Sequence, residues 1–187
     1  MMYVIYGVIA GAIIIGWIIN KFDTKKAKIE FVSKEMPHMK PLPMGTNGVG
    51  FWKGIKMWIA TSRKWELTSD WHYTIDKVDF VVPKGFVFDG ASVPKFFRSW
   101  LSPMGVLLMG GLVHDYGYKY QTLLYKGKKS ANGMQTQKWM DETFRDINIA
   151  VNGFYVLNYL AYYGLRLGGF LAWGKHRKVN SHWKKNV

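Results

Sequence analysis

At 187 residues the chain has room for one ordinary domain plus an appendage. It holds no cysteine, which excludes disulfides and thiolate metal sites and leaves the compartment open. With 26 Lys and Arg against 12 Asp and Glu, its formal charge of +14 favours an anionic partner such as membrane lipid, nucleic acid or a negatively charged assembly. Nine Trp, 11 Tyr and 11 Phe suit a chain at a membrane surface or packed in an assembly.

Residues 1–20, MMYVIYGVIAGAIIIGWIIN, carry no charged side chain. As a helix, Met2 to Ile19 would span roughly 27 Å, so the stretch predicts a transmembrane anchor. No basic residue precedes it, unlike a secretory signal peptide. Lys21, Lys25, Lys26 and Lys28 follow at once. Basic residues tend to stay on the cytoplasmic side, which predicts a single-pass protein with its C-terminal domain cytoplasmic, either cellular or virion-associated.

Residues 21–50 read as a basic tether, and the Pro, Gly and Asn of MPHMKPLPMGTNGVG exclude regular structure there. A domain is expected over 51–174. KWELTSDWHYTI and DKVDFVVPKGFVF alternate apolar and polar residues: Trp71, Tyr73, Ile75; Val78, Phe80, Val82; Phe86, Phe88. With turn signals at Asp76-Lys77 and Pro83-Lys84-Gly85, this predicts a short antiparallel β-meander. From Pro94 the period becomes helical, giving helices over 104–120 and 135–149 joined by the polar stretch 121–134. A third apolar segment, 153–174, contains Asn158 and Arg166. A central Arg costs about 2.5–3.5 kcal/mol on membrane insertion, so the segment reads as an aromatic-rich domain helix rather than a second span. Residues 175–187 form a basic tail. The expected fold class is therefore α+β: an N-terminal transmembrane helix, a short antiparallel meander, an antiparallel helix pair and a C-terminal aromatic-rich helix.

GGLVHDYGYKY, residues 110–120, sets a histidine beside an aspartate in an apolar run. On a helix His114 and Tyr118 share a face, while Asp115 is turned about 100° away. On the next helix Asp141 precedes Phe144, and antiparallel packing would return Asp141 to the level of His114. A carboxylate bonded to one imidazole nitrogen fixes the tautomer and leaves the other nitrogen as a base. Upstream, FDGASVP (88–94) places Asp89 and Gly90 in a turn, followed by the helix-start residues Ser92 and Pro94. Its carbonyls and carboxylate are the oxygen ligands calcium prefers. The same loop also reads as a plain strand-to-helix turn in which Asp89 bonds its own backbone. The trio of His114, Tyr118 and Asp141 also reads as a buried polar network pinning two helices, without turnover.

WHYTIDKVDFVVPKGFVFDGASVPKFFRSWLSPMG, LVHDYGY, MDETF and NYLAYYGLRLGG resemble, in that order, the phage and prophage family DUF1353 over about residues 65–173. That resemblance implies a phage or prophage origin, with other phage or virion proteins as partners, and no particular chemistry. A more distant similarity is to phospholipases A₂, which carry His-Asp-x-x-Tyr on one helix and a partner Asp on an antiparallel one. Here the matching residues are His114-Asp115-x-x-Tyr118 and Met140-Asp141-x-x-Phe144. The similarity implies a calcium-dependent lipid ester hydrolase. In it His114 activates water, Asp141 orients His114, Tyr118 supports Asp141, and Asp115 ligates calcium with the Asp89-Gly90 loop. DGASVP lacks the dense glycines of the lipase calcium loop. A metal phosphohydrolase would need His72 as a ligand, yet His72 sits in a strand pattern. A nucleic-acid role would rest on charge alone, without a reading motif, so the expected partner is an anionic lipid surface.

Overall fold

A computed structural model describes residues 2–22, 27–45, 48–60, 64–88, 105–125, 128–129 and 135–179. In chain order the elements are α1 (Met2–Phe22), β1 (Phe31–Ser33), β2 (Met39–Pro41), α2 (Phe51–Ala60), β3 (Trp65–Leu67), β4 (Trp71–Ile75) and β5 (Val78–Val82). Then follow β6 (Val87–Phe88), α3 (Leu108–Tyr120), β7 (Leu124–Tyr125), β8 (Lys128–Lys129), α4 (Gln137–Asn152) and α5 (Tyr155–Val179). The strands form one sheet ordered β1-β4-β5-β7-β8 and another ordered β2-β3-β6. Every pairing is antiparallel, as an α+β chain requires.

The β4–β5 hairpin forms at the expected place. Asp76 and Lys77 both adopt positive φ, 50° and 65°, the backbone whose twist suits a two-residue hairpin turn. Ile75 accordingly pairs with Val78. Alternation buries Trp71 and Tyr73 on one face and leaves His72 exposed on the other. The third strand departs from a simple meander. Val87 and Phe88 leave the hairpin and pair with β3 in the second sheet, and the neighbour of β5 is β7, from the polar stretch after α3.

Residues 21–50 also differ from a tether without regular structure, since β1 and β2 lie within them. β1 is held by β4 and by the Trp71 indole, whose Nε1 donates to Ser33 Oγ (3.0 Å) and Glu35 O (2.9 Å). Pro41 is tolerated at the end of β2 because that strand lies on a sheet edge.

The expected transmembrane helix is overturned. α1 forms, but among the described residues no helix is long and apolar enough to cross a membrane. The single-pass topology with a cytoplasmic domain falls with it. α1 instead touches α5.

Leu67, Trp71, Tyr73, Val82 and Phe88 from the strands, with Phe86 just before β6, pack with Leu112, Val113 and Tyr116 from α3 in one core. Burying each such side chain contributes about 1.5–3 kcal/mol. This fixes one side of α3 on the strands and leaves another for α4 and α5.

Candidate functional site

Three helices build the site. α4 begins at Thr136, whose Oγ1 accepts from Trp139 N (3.2 Å), a cap worth about 1 kcal/mol. It ends at Gly153, which closes the helix in the left-handed region at φ 68°. α3 and α4 run antiparallel, because Gly110 lies against Asn148, His114 against Phe144, and Gly117 against Met140. A Cβ on Gly117 would run into Met140 Sδ, so any larger residue there would force the Met140 side chain to move. α5 closes the third side. A Cβ on Gly169 would stand 2.6 Å from the Tyr118 hydroxyl.

Asp141, fully buried, is where the three helices meet. Its Oδ1 accepts from His114 Nε2 (2.9 Å) and from the Tyr118 hydroxyl (2.5 Å), and its Oδ2 accepts from Arg166 Nη1 (2.7 Å). An ionised carboxylate only accepts, so the Nε2 of His114 carries the proton. His114 Nδ1 has no hydrogen-bond partner and lies 3.7 Å from Asp115 Oδ1. The imidazole also packs on the Tyr118 ring (centroids 4.0 Å apart) and edge-on to Phe144 (5.5 Å).

The charges follow from this geometry. Burial pushes His114 toward the neutral form, but its contacts with Asp115 and Asp141 outweigh burial and raise its pKa above the ordinary 6.5. Burial pushes Asp141 up, yet the hydrogen bonds from His114, Tyr118 and Arg166 win and hold it below 3.8. Burial and then Asp141 push the Tyr118 phenol up, so it stays a donor. Asp141 thus has one permanent cation, Arg166, and together with Asp115 it favours the protonated form of His114.

Of the residues singled out in the sequence, His114, Tyr118 and Asp141 come together, with Asp115 beside His114. Asp89 and Gly90 lie outside the described residues. His72 is exposed on its strand and takes no part. The sequence reading missed Arg166 as a member of the site. A lone cation in an otherwise charge-free apolar segment is itself a signal, because burying it calls for a carboxylate. Arg177, from the stretch read as tail, is also structural. It lies within α5, where Nη1 donates to Gln121 Oε1 (2.7 Å) and Nη2 to the carbonyls of Tyr118 and Lys119, closing the C-terminal end of α3.

The calcium expectation rests on Asp115 together with Asp89 and Gly90, of which only Asp115 lies among the described residues. Calcium takes six to eight oxygen ligands, and one carboxylate supplies at most two. Among the described residues no group of three or more His, Cys, Asp or Glu could hold a metal ion. The described residues alone do not make up a site for the ion.

Fold and site together define an α+β protein in which three helices gather a histidine, a tyrosine and an arginine on one buried carboxylate. The chain belongs to the family DUF1353, described as a protein of unknown function, whose model matches residues 65–164. The matched stretch includes His114, Tyr118 and Asp141, while Arg166 lies just beyond it. No curated protein and no solved structure matches the chain.

Proposed function

We propose that this chain is a lipid ester hydrolase in which His114 is the general base. One observation carries the reading: a single imidazole has Nε2 tied to Asp141, while Nδ1 makes no hydrogen bond and lies 3.7 Å from Asp115 Oδ1. Against burial, Asp115 and Asp141 raise the pKa of His114, so the ring acts as a base only above that raised value. There it is neutral, Nδ1 is the basic nitrogen and Asp141 holds its orientation. Nδ1 takes a proton from water as the water oxygen attacks the ester carbonyl. The proton then passes to the departing alkoxide, leaving a carboxylic acid and an alcohol. Asp141 and Asp115 stabilise the imidazolium that forms between these steps. Tyr118 and Arg166 keep Asp141 ionised and in place. The phage or prophage setting, with other phage or virion proteins as partners, is carried by the family resemblance alone.

A second reading has its own observation. His114 is 1% exposed and Asp141 0%, the burial of a polar network that pins three helices and turns nothing over. Fatty-acid release from dispersed phospholipid by the full chain, in calcium and in chelator, separates the two. The hydrolase reading expects release in calcium. No release in either condition leaves the cluster a packing device.

A further inference from the structure

α5 is apolar on two opposite faces. One carries Asn158, Ala161, Tyr162, Leu165 and Gly169, all buried. The other carries Leu157, Leu160, Tyr163, Leu167, Phe170 and Leu171, which are exposed, Leu167 by 81% and Leu171 by 69%. Their spacing of three and four residues puts them in one stripe. A single exposed leucine means little, but a continuous stripe of large apolar side chains marks a contact surface.

Charge says what covers it. Neither α1 nor α5 contains an acidic residue. Lys175 and Lys178 are exposed, and their positions continue the stripe at its C-terminal end. α1, which touches α5, exposes Ile13, Ile14 and Trp17, with Lys21 Nζ 5.0 Å from the Trp17 ring centroid. The whole chain carries +14. A second copy would bring like charge to like charge, whereas an anionic lipid surface offers apolar depth beneath a negative headgroup layer.

We propose that the exposed face of α5 docks on an anionic phospholipid surface, lying along it without crossing it. Docking of this kind is independent of whether His114 turns over an ester. The side chains involved point away from the core, so charged replacements leave packing untouched.

The test is co-sedimentation of the full chain with vesicles of phosphatidylcholine alone and of phosphatidylcholine mixed with phosphatidylglycerol. Binding should favour the mixed vesicles and weaken with added salt. Leu167→Glu with Leu171→Glu should lower the affinity about tenfold or more, with an unchanged helical circular dichroism spectrum. Lys175→Glu should weaken binding to mixed vesicles about fivefold and leave phosphatidylcholine unaffected. The proposal is overturned if the wild type ignores both vesicles, or if the double leucine variant binds as the wild type does. It is equally overturned if that variant abolishes a concentration-dependent dimer in a protein that binds no vesicle, since the face then belongs to a second copy.

Discussion

Arg166 donates to Asp141 Oδ2 over 2.7 Å, on the carboxylate oxygen opposite the one that receives His114 and Tyr118. Without Arg166 a fully buried carboxylate loses its one permanent cation. Arg166→Met, which keeps the apolar stem, should lower stability by about 1–2 kcal/mol. The figure is reduced because the Arg166 side chain is 34% exposed and therefore screened. Urea unfolding measures it, and an unchanged midpoint would show that the pair contributes nothing.

Stability should peak in mildly acid solution. Burial opposes the charged form of His114, but Asp115 and Asp141 raise its pKa above 6.5. The stability this contributes is complete below 6.5 and lost as pH rises through the folded value. Burial likewise opposes the charge on Asp141, but three hydrogen bonds lower its pKa below 3.8. That contribution is present above 3.8 and lost as pH falls through the folded value. Melting temperature followed from acid to alkaline pH should therefore be highest between about 4 and 6.5. A curve rising steadily through neutrality would contradict the ionised pair.

Two neighbouring glycines of α5 should respond oppositely to alanine. At Gly168 an added Cβ meets nothing within 4 Å, so Gly168→Ala should stabilise by up to about 1 kcal/mol through helix propensity. At Gly169 the Cβ would crowd the Tyr118 hydroxyl, pushing it off Asp141 at a cost of about 1–3 kcal/mol. Thermal unfolding of the two variants side by side checks the close approach of α5. Equal shifts would mean that the helix does not seat on Tyr118.

The helix pair and its polar trio were legible in the sequence because they rest on local periodicity. The spacing of His114 and Tyr118 places both on one face, and antiparallel packing brings Asp141 back to them. What was not legible depends on contacts distant in the chain. β1 and β2 are three residues each, too short to show alternation, and exist because β4 and β3 pair with them. β6 reads as a third meander strand until its pairing with β3 is seen. Helix α2 was hidden by the glycines around Phe51 and by Gly54. Arg166 read as a cost of membrane insertion, since nothing local reveals the carboxylate 25 positions earlier. The N-terminal segment misled in the other direction, because the absence of charge suggested a span, whereas among the described residues no helix is long and apolar enough to cross a membrane.

The most direct test of His114 as a base is ester hydrolysis by His114→Gln, with its unfolding midpoint measured on the same preparation. Loss of general-base help should cut the rate about 10²–10⁴-fold, well beyond any loss of folded protein at the assay temperature. A variant that hydrolyses as fast as the wild type, or a wild type without activity whose variant only melts earlier, would contradict the account and leave His114 as a core residue.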